Sequence, residues 1–135
     1  MADTADVLAV NASFYAAFGR RDPDALGALW SRRADATCIH PGWALLEGRD
    51  EVLASFRAIL TAPNAPDITC ARATAHVHGD LAYVICVEVL PGGRLAATNV
   101  FVREGASWRM VHHQACPIAP LDAEEQQPPP DTLLN

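Results

Sequence analysis

The second half of the chain contains four long segments in which apolar and polar residues alternate, and this pattern restricts the fold more than any other feature. The segments span residues 68–78, 81–90, 95–104 and 107–116. The turns between them are Gly79-Asp80, Pro91-Gly92-Gly93 and Glu104-Gly105-Ala106. A period of two is typical of strands with one buried face, and short turns join antiparallel neighbours. The pattern therefore predicts a four-stranded antiparallel meander.

The first half of the chain contains three helical segments instead. Residues 3–19 carry apolar side chains at spacings of three and four, and Asp22-Pro23 is a typical start for a short second helix. A third helix is predicted over residues 50–61, because Pro63 and Pro66 cannot continue it. Three helices followed by an antiparallel meander predict an α+β fold, with the helices packed on one face of a curved sheet.

A short strand between the second and third helices leads into the turn His40-Pro41-Gly42-Trp43. Residues 44–48 return as a second short strand, which makes residues 36–48 a small hairpin. A titratable ring and an indole just beyond a strand end are typical of a pocket wall. A hydrogen-bonded structural role for His40 is the alternative interpretation.

Composition excludes several classes of protein. The chain has 135 residues and a net charge of −6, with Asp122, Glu124, Glu125 and Asp131 all in the C-terminal stretch. Nothing forms the basic face that binding to nucleic acid requires. No apolar run approaches the roughly 20 residues of a membrane span, and no signal peptide is evident. We expect one domain over residues 1–118, followed by an acidic, proline-rich tail over 119–135 that is extended or disordered.

Neither a metal nor another cofactor is predicted. The four cysteines lie far apart and lack CxxC spacing, so buried free thiols in a reducing cytoplasm are expected. His76 and His78 share a strand face, but the tight Cys/His spacing of a zinc site is missing. The chain also lacks the GxSxG, P-loop and GxGxxG motifs.

Strand parity predicts which polar residues face the interior. Glu88 shares a face with apolar residues of its strand, and a buried carboxylate needs either a partner or a wet cavity. It is either an acid with a tuned pKa or a carboxylate that pairs with arginine or faces solvent. In the last strand, strict alternation places Trp108, Met110, His112, Gln114 and Cys116 on one face and Arg109, Val111, His113 and Ala115 on the other.

Three segments together resemble the nuclear transport factor 2-like (NTF2-like) superfamily, and within it the SnoaL-like group of small bacterial proteins. They are Cys38-Ile39-His40-Pro41-Gly42-Trp43 with Leu46-Glu47-Gly48, Ala97-Thr98-Asn99-Val100-Phe101-Val102-Arg103, and Trp108-Arg109-Met110-Val111-His112-His113. The resemblance covers about residues 5–118. It implies a cone-shaped fold with a ligand pocket inside, usually dimeric through the outer face of the sheet.

The superfamily includes ketosteroid isomerases, polyketide cyclases, dehydratases and the association domain of calmodulin-dependent kinase. The isomerase pattern puts the general-base aspartate at His40 and the oxyanion tyrosine at Phe14, with Tyr15 next to it. The pocket arginines of the kinase domain fall at Glu88 and Asn99. This chain therefore departs from both patterns.

Two functions follow as hypotheses. The first is a small-molecule-binding protein or enzyme whose ligand is hydrophobic or contains a carbonyl group. Its pocket residues would be Tyr15, Trp30, His40, Trp43, Glu88, Asn99, His112 and Gln114. His40 would be the base or acid and Glu88 its partner, in proton abstraction next to a carbonyl during isomerisation, cyclisation or dehydration. Asn99 and Gln114 would donate hydrogen bonds to the carbonyl or enolate oxygen.

The second hypothesis is a non-catalytic dimerisation or association module. In that case the outer face of the sheet would carry the function, with the tail as an accessory. A closed cavity in which Glu88 pairs with a core arginine would favour the module. An open cavity that both His40 and Glu88 can reach would favour the enzyme.

Overall fold

The computed structural model describes residues 2–32 and 35–119. Three helices precede the meander: α1 (Ala2–Gly19), α2 (Pro23–Ala28) and α3 (Arg49–Thr61). The strands are β1 (Thr37–Ile39), β2 (Leu46–Glu47), β3 (Thr69–His78), β4 (Leu81–Leu90), β5 (Gly93–Glu104) and β6 (Ser107–Ile118). The α+β fold predicted from the change of period is confirmed. The tail beyond residue 119 lies outside the described residues, so its predicted character stays a prediction.

All six strands form one sheet in the order β2-β1-β6-β5-β4-β3. Strands β3 to β6 form the antiparallel meander, whereas β1 runs parallel to β6 with Thr37 opposite His112. The pairing runs as far as Ile39 opposite Gln114, so the end of β1 lies next to the C-terminal half of β6. His40 is therefore placed beside the sheet rather than in a free loop.

The helices cover one face of the sheet, and the core lies between the two layers. Asp22 starts α2 by accepting a hydrogen bond from the Ala25 amide at 3.0 Å, as the Asp22-Pro23 signal predicts. Trp30 is only 1% exposed and packs against Phe56, with ring centroids 5.9 Å apart. Trp30 is therefore part of the solid core.

A bulge in β6 changes which side chains point inward. Val100 pairs with His112 but Phe101 pairs with Met110, so Val111 has no opposite residue on β5. One extra residue reverses the alternation from that point on. His113 is consequently buried, and Gln114 is exposed. The strict alternation predicted for 107–116, which put His112 and Gln114 on the face of Met110, is wrong beyond Met110.

Candidate functional site

A cavity of about 340 Å³ lies between α1, α3 and the sheet. Most of its wall is apolar, and its titratable lining consists of two histidines, one tyrosine and one glutamate. The lining residues are Phe14, Tyr15, Phe18, His40, Pro41, Trp43, Phe56, Ile59, Pro66, Ile68, Glu88, Leu90, Leu95 and His113. Two of these, Pro41 and Trp43, are exposed, so the rim of the cavity reaches the surface. The volume is at the lower end of the roughly 300–1,000 Å³ usual for small-molecule sites.

Glu88 is the carboxyl group of this cavity, and it is 3% exposed. The Tyr15 hydroxyl donates a hydrogen bond of 2.6 Å to Glu88 Oε2. Burial raises the pKa of Glu88 above its ordinary value, and the Tyr15 hydrogen bond opposes part of that rise. Burial and the neighbouring Glu88 together raise the pKa of Tyr15, so its hydroxyl stays protonated as the donor.

Asn99 lies behind this pair and fixes the orientation of its neighbours. Its Nδ2 donates to Asn11 Oδ1 at 2.8 Å and to the Tyr15 hydroxyl at 3.2 Å. Its Oδ1 is therefore an acceptor, and it lies 2.5 Å from His113 Nδ1. The His113 tautomer with its proton on Nδ1 satisfies this arrangement and leaves Nε2 unprotonated.

His113 is a neutral imidazole held against the carboxyl group. Its Nε2 is 3.7 Å from Glu88 Oε2, beyond hydrogen-bonding distance. Burial, with further contributions from His40 and His112, lowers the pKa of His113 to about 3. A neutral ring gives Glu88 no positive charge to stabilise its carboxylate, which agrees with the upward direction of the Glu88 pKa.

His40 is the second imidazole in the wall, and it is 5% exposed. Ser55 donates its hydroxyl proton to the Val52 carbonyl at 2.6 Å and lies 2.8 Å from His40 Nε2. The serine oxygen is therefore the acceptor, which puts the His40 proton on Nε2 and leaves the lone pair on Nδ1. Burial lowers the pKa of His40 to about 4, so the ring is neutral near pH 7.

Aromatic rings enclose His40. Trp43 and Phe56 each make an edge contact with it, at ring-centroid distances of 4.8 Å. The indole of Trp43 is 46% exposed and so covers one side of the imidazole at the rim. The His40 and His113 rings lie 6.3 Å apart, and both line the same cavity.

The structure places the predicted site residues in three groups. Tyr15, His40, Trp43 and Glu88 line the cavity, whereas Asn99 lies behind it in the hydrogen-bond network. Three others are not among the lining residues: Trp30 in the core, and His112 and Gln114 on the opposite face of β6.

His112 and Gln114 interact with each other and with β1 instead of the cavity. His112 Nδ1 lies 2.7 Å from Thr37 Oγ1, and its Nε2 lies 3.2 Å from Gln114 Oε1. Sequence reasoning missed His113, Asn11 and Ser55. Asn11 occupies a position on the apolar face of α1, and a polar residue there was a usable signal. The bulge that turns His113 inward cannot be recognised from the alternation of apolar and polar residues.

Two structural findings bear on other classes of protein. No three His, Cys, Asp or Glu side chains within the described ranges cluster in a way that could hold a metal ion. Within residues 2–32 and 35–119, no helix is both long enough and apolar enough to cross a membrane.

Comparison with known proteins assigns the family. A model described as the SnoaL-like domain matches residues 7–120. The crystal structure of a candidate dehydratase of the NTF2-like family from Streptomyces avermitilis superposes with a TM-score of 0.80 and 33% identity, covering 88% of this chain and 98% of that one. A candidate calcium/calmodulin-dependent protein kinase type II association domain from Thiobacillus denitrificans superposes with a TM-score of 0.74 and 35% identity, covering 82% and 93%.

A curated plant protein is also similar. The F-box protein SKIP8 of Arabidopsis thaliana is 28% identical over 116 residues, which is 84% of this chain and 50% of that protein. The chain thus spans about half the length of this relative. The fold, with its cavity between the helices and the sheet, is that of an NTF2-like protein. Within that superfamily, the chain belongs to the SnoaL-like family.

Proposed function

We propose that the protein binds a small, uncharged carbonyl compound in the cavity and catalyses proton transfer at the carbon next to the carbonyl. The observation that carries the proposal is that two neutral imidazoles and a carboxyl group of raised pKa line one largely apolar cavity. Titratable groups with pKa values displaced in opposite directions are typical of acid–base sites.

His40 is the proposed base. Nε2 donates to Ser55 and leaves the lone pair on Nδ1, which lies 3.9 Å from Cys38 Sγ, and α3 holds the ring in this orientation. A lowered pKa weakens the base, so the substrate proton must itself be acidified by hydrogen bonding at the carbonyl oxygen. Desolvation also disfavours charged ligands, which is why we propose an uncharged one.

Glu88 is the proposed proton donor. Its raised pKa keeps a proton on the carboxyl group at higher pH than an ordinary glutamate would, and Tyr15 occupies only one of its oxygens. The protonated group would donate to a carbonyl oxygen, or to a hydroxyl leaving group during dehydration. Asn99 is a positioning residue in this scheme, because it holds Tyr15 and His113 rather than lining the cavity.

The experiment uses 3-hydroxy-1-phenylpropan-1-one and acetophenone as probes in D₂O. We expect the wild-type protein to accelerate exchange of the proton next to the carbonyl, followed by NMR. It should also accelerate loss of water from the hydroxyketone. His40→Gln should abolish both, whereas Glu88→Gln should reduce dehydration more than exchange. Exchange at the buffer rate in the presence of wild-type protein would overturn the proposal.

The association-module alternative draws on the similarity to the Thiobacillus denitrificans domain. Glu88 bonds to Tyr15 rather than to an arginine, and the cavity reaches the surface at Trp43. Both features favour a ligand site. Dimerisation through the outer sheet face is compatible with such a site, and sedimentation equilibrium would measure it directly.

A further inference from the structure

A groove on the other side of α1 contains a pair of cysteines that the proposed chemistry does not use. The groove runs between α1 and β3, and half-buried Cys70 lies in its wall beside Asn11 and Tyr15. Behind it, Cys86 is 1% exposed. The first thiol can therefore be reached from solvent, whereas the second is shielded from it.

Strand register brings the two side chains together. Cys70 on β3 lies opposite Glu88 on β4, and Cys86 precedes Glu88 by two residues on the same inward face. A bulge interrupts the pairing between Ala71 and Thr74, next to Cys86. Both side chains therefore lie on the same face of neighbouring strands, and a hydrogen bond between the two thiols is the largest influence on the pKa of each.

The same helix holds both sulfurs. Asn11 Nδ2 donates to Cys70 Sγ at 3.7 Å, and the Tyr15 hydroxyl lies 3.4 Å from Cys86 Sγ. Asn11 and Tyr15 are one helical turn apart on α1, so their spacing matches the diagonal between the two strands. Each thiol is thus restrained by a side chain of α1.

The two environments give the thiols different reactivities. Hydrogen bonds from Cys86 and Asn11 lower the pKa of Cys70, against an opposing contribution from burial. The hydrogen bond to Cys70 and burial raise the pKa of Cys86. The accessible cysteine therefore has the more easily formed thiolate, and the buried one stays a thiol.

We propose that Cys70 and Cys86 form a peroxide-oxidised thiol pair that closes into a disulfide beside the Tyr15–Glu88 hydrogen bond. In the first step the Cys70 thiolate attacks hydrogen peroxide, the O–O bond breaks, and sulfenic acid forms with release of hydroxide, which takes up the proton that the Cys70 thiol lost on ionising. In the second step Cys86 sulfur attacks the Cys70 sulfur, the S–O bond breaks, and one water leaves with the Cys86 proton. Peroxide is the oxidant, and the two thiols are oxidised by two electrons in total.

Closure would change the environment of the carboxyl group. While both thiols are free, the Cys86 sulfur contacts the same Tyr15 hydroxyl that donates to Glu88. Movement of that sulfur toward Cys70 would alter the Tyr15 contact. Oxidation would then act on the cavity through Tyr15, whatever ligand the cavity takes.

The test uses the full chain with Cys116→Ser, because Cys116 is exposed and would react on its own. After treatment with hydrogen peroxide, intact mass spectrometry should show a loss of about 2 Da, reversed by dithiothreitol. Peptide mapping should place the crosslink between Cys70 and Cys86. Survival of both as free thiols, conversion of Cys70 to sulfinic acid without a crosslink, or a disulfide between two chains would each overturn the proposal.

A second variant separates the two steps. With Cys86→Ser added, dimedone should trap a sulfenic acid at Cys70, whereas with Cys70→Ser added Cys86 should remain unmodified. Circular dichroism identifies any variant that fails to fold, and in that case the crosslink measured with both thiols present decides. This experiment needs no ligand, so its result is independent of the proposed carbonyl chemistry.

Discussion

The Tyr15 hydroxyl donates a 2.6 Å hydrogen bond to Glu88 Oε2 and joins α1 to β4 across a sequence separation of 73 residues. Two opposing influences meet in this bond. Burial favours the protonated carboxyl group, whereas the hydrogen bond favours the carboxylate. The bond therefore both holds the first helix on the sheet and limits the pKa of the acid.

Tyr15→Phe should raise the pKa of Glu88 further, because the substitution removes the hydrogen bond that lowers it. It should also destabilise the fold by about 1–2 kcal/mol, since it leaves buried polar groups with fewer partners. A carboxyl-carbon NMR titration measures the pKa, and urea unfolding measures the stability.

Tyr83→Phe is the matched control for that substitution. Tyr83 stacks on His76 at 4.7 Å, on the face of the sheet away from the cavity. It should leave the Glu88 titration unchanged. An unaltered Glu88 titration in the Tyr15 variant as well would show that the hydrogen bond is not what sets this pKa.

The fold could be predicted because its information is periodic. Alternation from residue 69 onward and capping at Asp22 each act locally, so the sequence alone locates the strands and the start of α2. Glu88 could be recognised as unusual for the same reason: one acid interrupts an apolar face. These signals need no knowledge of distant contacts.

The histidines of β6 could not be assigned in this way. A single extra residue at Val111 exchanges the faces of His112 and His113, and it depends on the pairing between β5 and β6. Trp30 raises a related difficulty, because an indole suits both a core and a pocket wall. Only the packing against Phe56 decides between them.

His113→Ala should destabilise the protein much more than His112→Ala. His113 is 4% exposed and is the partner of Asn99 Oδ1, so its removal creates a cavity and an unpaired buried acceptor. We expect a loss of about 2–4 kcal/mol for His113 and below about 1 kcal/mol for half-buried His112. Equal losses in urea unfolding would contradict the inward placement of His113.

Asn99→Leu should be among the most destabilising polar substitutions in this core. Asn99 makes three hydrogen bonds, with Asn11, Tyr15 and His113, and leucine can make none of them. We expect a loss of about 3 kcal/mol, since three buried groups lose a partner.

Thr98→Val controls for substitution on the same strand. Thr98 faces the other side of β5 and is half-buried, so valine should change stability by no more than about 0.5 kcal/mol. Thermal unfolding of the two variants side by side checks the contrast. A stable Asn99→Leu protein with unchanged His113 NMR signals would show that the network is dispensable.

The two kinds of titratable group in the cavity should make stability respond to acid in opposite directions. His40 has an ordinary pKa of 6.5 and a folded value of about 4, so between these values the unfolded chain binds a proton that the folded chain excludes. His40 therefore destabilises the fold as pH falls through this window, by an amount on the order of 2 kcal/mol. Glu88 has a raised pKa, so the folded chain binds the extra proton above 4.5 and gains stability as pH falls.

Two conservative variants separate these contributions. His40→Gln can still donate to Ser55 but cannot titrate, so its free energy of unfolding should fall less steeply than that of the wild type between about pH 7 and pH 4. Glu88→Gln removes the compensating proton uptake and should make the fall steeper. Urea unfolding at successive pH values measures all three slopes. Parallel curves of unfolding free energy against pH for the three proteins would mean that neither group titrates differently in the folded and unfolded chains. That result would contradict the shifted pKa values on which the proposed acid–base chemistry rests.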